Sequence, residues 1–165
     1  MAATLAIDPA TKCGFAVAVE PGIPVDSGTW HLDRGPHRTR WLSLWARLDE
    51  IHERHPVGRI AHELVEQHPT PGIPGKTNVY AAHCYGALVA VLEMGAETHK
   101  VSVLPIPVGT IKKHATGKGN ARKEAMVAAA KLRWPEIRIC DDNHADALWI
   151  LDTYTSSSPG PREEE

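Results

Sequence analysis

Residues 5–19 read LAIDPATKCGFAVAV. An apolar run from Ala3 to Asp8 is short enough for a strand and ends in an acid. PATKCG, at 9–14, turns the chain, and FAVAVE, at 15–20, makes a second strand. After PGIP, the stretch VDSGTWHL at 25–32 alternates apolar and polar residues as a third strand should. Turns this short join sequential neighbours as hairpins, so the opening is expected to be an antiparallel meander.

Beyond it the period changes. Trp41, Trp45, Leu48 and His52, with Leu44 and Ile51 beside them, mark an amphipathic helix between Pro36 and His55. The three apolar members Trp41, Trp45 and Leu48 are expected in the core. GRIAHE at 58–63 is a fourth strand, again ending in an acid, and QHPTPGIPGKTN at 67–78 reads as a loop. Asn78 can cap a long apolar helix that stops near Gly95. HKVSVLPIP at 99–107 is a fifth strand, and Pro107 suits the start of a short helix through VGTIKKHA. TGKGN breaks that helix, Asn120 can cap ARKEAMVAAAKLRW, and DDNHADALWILDTY forms the last helix. The order β-β-β-α-β-α-β-α-α-α implies an α/β fold with a five-stranded mixed sheet and helices on both faces. One domain over 1–155 and a disordered tail over 156–165 are expected.

The 165 residues suffice for one domain with a core, and 42% hydrophobic with 23% charged residues is ordinary for a globular chain. Apolar runs such as GALVAVLEMGA are interrupted and short for a bilayer, and MAATLAIDPA has no basic leader, so neither membrane nor secretion is expected. Cys13, Cys84 and Cys140 are scattered, which fits a reducing, cytoplasmic setting. The net charge of −2 hides an asymmetry. Lys112 to Arg133 holds seven Lys or Arg and one acid, whereas the remainder holds 11 basic and 19 acidic residues. Such a block attracts polyanions, although a solvated helix face has the same composition.

The chemistry is carried by acids. Asp8 and Glu63 stand at strand ends, where α/β sheets collect functional groups. Asp142, Asn143 and Asp146 can share a face of the last helix. Taken singly, each has a plain alternative as turn former, cap or surface charge. Converging, they repel one another and call for a divalent cation. An all-oxygen donor set favours Mg²⁺, with Mn²⁺ as substitute, over Zn²⁺. Two such ions together cut phosphodiesters. A zinc reading of HELVEQH at 62–68 fails on spacing, since its histidines are six apart rather than four. On a strand His62 faces away from Glu63.

These residues bring a resemblance into view. LAIDPATKCGFAVAV is similar to the opening motif of RuvC-like Holliday junction resolvases, and RIAHELV to the strand that ends in their catalytic Glu. TIKKHATGKGNARKEAM resembles their basic motif and DDNHADALWI their closing helix, in the same order over about residues 4–152. The compact form is most similar to the phage-encoded branch. The resemblance implies an RNase H-like fold and a homodimer acting in a bacterial or phage-infected cytoplasm. It also implies paired nicks in four-way DNA that depend on Mg²⁺, with two ions per site. Asp8, Glu63 and Asp146 match metal ligands, and Lys112 and Lys123 match basic residues near the scissile phosphate. Lys113, Lys118 and Arg122 would add DNA contacts.

Two departures from the family stand out. Many members carry Asp where this chain has Asn143, so Asn143 ligates through its amide oxygen or Asp142 replaces it, and Asp142 is favoured. An aromatic residue common three positions after the Glu is here Glu66. Tyr80 is the nearest later aromatic, expected to pack at a helix start. The alternatives are an RNase H-like nuclease for other branched DNA, RNA–DNA hybrids or rRNA precursors, and a non-catalytic nucleic-acid-binding module.

Overall fold

The computed structural model describes residues 2–34 and 39–157. The expected helix start at 36–38 and the expected tail beyond 157 lie outside the described residues, whereas residues 156–157, placed in that tail, continue the last helix. The opening forms β1 (Ala3–Asp8), β2 (Lys12–Glu20) and β3 (Ile23–His31). Then follow α1 (Arg40–Arg54), β4 (Val57–Leu64), β5 (Pro69–Thr70), β6 (Ile73–Thr77) and α2 (Val79–His99). The chain continues through β7 (Ser102–Pro107), α3 (Val108–Thr116), α4 (Lys123–Arg133) and α5 (Asp142–Ser157).

The main sheet has the order β3-β2-β1-β4-β7. β1, β2 and β3 are antiparallel neighbours, as their short turns demand, and β1–β4 and β4–β7 are parallel, as their helical crossovers demand. The period-two alternation of β1 divides the core. Leu5 and Ile7, with Phe15, Val17 and Ile60, pack on Leu44, Leu48 and Ile51 of α1 and on Leu88 and Leu92 of α2. Ala6, with Ala16, Ala18 and Ala61, packs on α5, where Ala145, Ala147 and Leu148 are fully buried. The small side chains on this second face let α5 lie close to the sheet.

Gly14 marks the closest approach. A Cβ there would stand 2.0 Å from the carbonyl oxygen of Asn143 and 3.2 Å from the Ala147 methyl. No real contact is that short, so only glycine lets the first turn of α5 sit on β2. Register places Gly14 directly across from Asp8.

Several local expectations shift. Residues 69–77 are not an open loop but a small hairpin in which Thr70 pairs with Ile73 across Pro71-Gly72, with Gly72 at φ 75°. The buried stripe of α1 is Ser43, Leu44, Leu48 and Ile51, and both Trp41 and Trp45 are only half-buried. His52 leaves the core stripe to stack on His99 of α2, with ring centroids 4.2 Å apart. Asn78 caps α2 as expected, its Oδ1 accepting from Ala81 N at 3.0 Å. The helix passes through Gly95 and stops at Lys100, which adopts φ 57°. Gly95 serves packing instead, because a Cβ there would stand 3.0 Å from Leu48 Cδ1. With its extra turn α2 reaches 21 residues and, by length and composition alone, becomes long and apolar enough to cross a membrane. Here it packs on α1 and the sheet. α4 starts after Arg122, not Asn120, and Trp134 terminates it.

Candidate active site

Asp8 ends β1 on the face that Ala6 shows to α5, and Glu63 occupies the matching face of β4 two residues after Ala61. Ile7 pairs with His62, so the two acids follow side by side. His62 turns to the opposite face, is buried, and its Nδ1 lies 2.9 Å from the Glu63 carbonyl oxygen. The end of β4 is held in place by Tyr85 of α2. Its hydroxyl donates to Glu63 O at 2.9 Å and accepts from Val65 N at 3.1 Å.

α5 supplies the opposing wall. Burial, then the charges of Glu63 and Asp142, push the Asp146 carboxyl up to about 7. Asp8, 7% exposed, is raised well above the ordinary carboxylate range by burial, then by Glu63 and Asp146. Glu63 is raised by burial, against the opposing pull of Lys112 and Lys123. The mutual effects bring Asp8, Glu63 and Asp146 into one electrostatic cluster. Among the described residues no Lys or Arg forms an ion pair with any of the three.

Asp142 sits differently. Lys123 Nζ donates to its Oδ2, a bond that lowers the Asp142 pKa and raises that of Lys123. Its neighbour Asn143 lies on the acid cluster. With the amide turned to satisfy its surroundings, its nitrogen donates to Asp8 Oδ2 at 3.1 Å and to Lys12 O at 3.2 Å. Of the two candidates for the fourth position, Asn143 contacts Asp8 and Asp142 is engaged by a cation.

Asp8, Glu63 and Asp146 offer carboxylate oxygens, the donor type suited to hard divalent cations. Among the described residues no three His, Cys, Asp or Glu side chains are close enough to form a ready-made cage. Uncompensated carboxylates repel one another, and the charges of Glu63 and Asp146 are felt at Asp8 without the three closing into a cage.

The basic segment lies next to this group. Lys112, half-buried on α3, is near enough to Glu63 and Asp146 to pull their pKa values down. Lys113, Lys118, Arg122 and Lys123 are exposed. Lys118 and Arg122 line one open cleft of about 500 Å³, and Lys123 and Lys131 line another of about 510 Å³ that reaches Asp142. Buried Asp152 of α5 ties the basic helices down. Its Oδ2 is 2.8 Å from His114 Nε2 of α3, and its Oδ1 accepts from Arg133 Nη2 of α4 at 3.3 Å.

Two further residues carry no motif signal. Arg40 opens α1 and lines a cavity shared with Asp8 and Glu63, and Tyr80 lines the same cavity. Tyr80 does not pack at the helix start, being 69% exposed.

No family model and no curated protein matches the chain. Solved structures do. Thermus thermophilus RuvC is 20% identical over 92% of both chains, with a TM-score of 0.70. T. thermophilus RuvC in complex with Holliday junction substrate is 22% identical over 93% of this chain and 92% of that one, at 0.72. The yeast mitochondrial Holliday junction resolvase Ydc2 is 15% identical over 92% of this chain and 77% of that one, at 0.61. The chain has the RNase H-like fold of these resolvases.

Proposed function

We propose that this chain is a metal-dependent endonuclease that resolves four-way DNA junctions by paired phosphodiester hydrolysis. The adjacency of Asp8 and Glu63, faced by Asp146, carries the reading. The fold shared with proteins described as resolvases supports the substrate class.

Asp8, Glu63 and Asp146 would hold Mg²⁺, or Mn²⁺ in its place, at two ions per site. Asp142 or, with its amide turned to present oxygen, Asn143 would complete the shell; in the orientation that satisfies its neighbours Asn143 gives Asp8 its amide nitrogen, which is a donor and not a ligand. Bound ions supply an attacking water of lowered pKa and a counter-charge for the departing 3′-oxygen. Lys112 stands beside Glu63 and Asp146, where a fixed ammonium stabilises charge developing on the phosphate. Lys123, oriented by Asp142, does the same from the α4 side. Lys113, Lys118 and Arg122 contact the backbone of the arms and set affinity rather than sequence preference.

Paired nicks need two sites, so a second copy of the chain is part of the proposal. Gly86, Ala90 and Met94 form an exposed stripe one turn apart along α2, and a Cβ at Gly86 would meet nothing within 4 Å. That stripe admits close approach of a second α2. Sedimentation of wild type as a dimer and of Gly86→Arg as a monomer would support this interface, and a monomeric wild type would remove it.

The deciding experiment incubates the protein with a synthetic four-way junction and Mg²⁺, in competition with a flap, an RNA–DNA hybrid and linear duplex. Symmetric nicks that vanish in Asp8→Asn are expected. Preference for the hybrid would move the chain to another branch of RNase H-like nucleases. Binding without cleavage or metal uptake would make it a binding module.

A further inference from the structure

Lys123 and Asp142 line an open cleft of about 510 Å³ formed by α4 and the first residue of α5, together with Glu124 and Lys131. Within it Lys123 Nζ donates to Asp142 Oδ2. The lysine side chain is 75% exposed, so water competes for it and a pair of this kind holds weakly.

The charges in the cleft balance. Lys123 is engaged by Asp142, which leaves Lys131 against Glu124. That wall has no net charge and is a poor match for a phosphate. With Asp142 turned out of the cleft, Lys123 and Lys131 would face one acid, and the same wall would attract an anion.

Asp142 has a second environment within reach. It stands one helical turn before Asp146 on α5, at the i, i+4 spacing that puts two side chains on one side of a helix. Its charge is felt at both Asp8 and Asp146, where it pushes the carboxyls up. Its neighbour does not serve the acids as a ligand, because Asn143 gives Asp8 an amide nitrogen. A fourth carboxylate among the acids adds repulsion unless a cation is there, and with one it adds a ligand.

We propose that the Lys123–Asp142 pair is a latch that couples metal binding to substrate binding: a phosphate entering the α4 cleft draws Lys123 away, and the released Asp142 becomes the fourth carboxylate ligand of the metal centre. The proposal rests on reading the acid cluster as a nuclease centre. Such coupling is reciprocal, so a cation held by the acids frees Lys123 for the phosphate by the same factor. The free protein keeps a three-carboxylate site, and its full cation affinity waits for DNA.

Two double-mutant cycles on the full-length protein test this without any cleavage step. Calorimetry without DNA measures Mn²⁺ affinity in wild type, Lys123→Gln, Asp142→Asn and the double variant. Lys123→Gln is expected to bind Mn²⁺ about fivefold more tightly, the upper value for an exposed ion pair, and to lose that gain in the Asp142→Asn background. Filter binding in chelator then compares the same four proteins on a four-way junction. Asp142→Asn should gain about fivefold in junction affinity, and only where Lys123 is present. Should Asp142→Asn fold poorly, Asp142→Ser takes its place, since serine also suits a helix start. A lysine that acts on the cation only through space gives the same gain with or without Asp142. Additive cycles, or an unchanged Mn²⁺ affinity in Lys123→Gln, would therefore overturn the latch and leave the nuclease reading intact. A wild type that takes up no Mn²⁺ would overturn both.

Discussion

Asp8 ends β1 and Glu63 stands one residue before the end of the parallel neighbour β4, each one residue beyond the paired Ile7 and His62. Two acids in that relationship, facing Asp146 without a cation, repel one another. Neutralising one should therefore do two opposite things. Asp8→Asn should abolish cleavage, by at least about a hundredfold given the leverage of active-site electrostatics. It should also raise the melting temperature of the metal-free protein, by about 2–4 °C for each kcal/mol of repulsion removed. Paired melting and cleavage measurements check this, and a destabilised metal-free variant would contradict it.

The pH dependence has a defined sign. Burial raises Asp146 to about 7 in the folded chain, and Asp8 and Glu63 are raised as well. Between the ordinary carboxylate pKa and the raised one, the folded state binds more protons than the unfolded state, so stability falls as pH rises. Metal-free protein should be most stable below the ordinary carboxylate range with respect to these groups and lose stability steadily as pH climbs through about 7. Added Mn²⁺ should restore it on the alkaline side. Thermal melts from pH 5 to 8 in chelator and in Mn²⁺ would show this, and a metal-free curve rising over that range would refute it.

Gly14 predicts a positioning defect. A methyl at this position collides with the Asn143 carbonyl and must push the start of α5 off β2. Gly14→Ala should cost about 1–3 kcal/mol as an overpacked core and should weaken Mn²⁺ affinity, because Asn143 and Asp146 move with the helix. Calorimetric metal titration separates this from a plain stability loss. Unchanged affinity in the folded variant would exclude it.

Asp152 anchors the basic helices through His114 and Arg133. The acid is buried but both partners are partly exposed, so Asp152→Ala should cost about 2 kcal/mol rather than the full value of a buried pair. Denaturant melts would measure it. Junction affinity should fall too, since α3 carries Lys112 and Lys113.

Lys118→Ala and Arg122→Ala should each lower the slope of log affinity against log salt by about 1 if each neutralises one phosphate. The effect should be equal across junction sequences. Filter binding over a salt series would read it, and an unchanged slope would take the α3–α4 cleft out of the DNA path.

Alternation and turn length alone determined the meander, the mixed five-stranded sheet and the two helical layers. They are local signals, and each strand could be read from its own residues. Asp8, Glu63 and Asp146 were legible for the same reason: a charge at the end of an apolar run, or between alanines on a helix, conflicts with its surroundings. Only tertiary structure decided the rest. Asn143 and Asp142 are adjacent in sequence, and the rotation of α5 turns Asn143 to Asp8 and Asp142 to Lys123, with Gly14, 129 positions before Asn143, admitting the helix. Gly95 resembled a helix stop and proved to be a packing contact with Leu48. Arg40 and Tyr80 lie 40 residues apart with no shared motif, and they line one cavity because α1 and α2 pack on the same face of the sheet. Long-range proximity has no local signature, because it comes from burying one apolar surface against another.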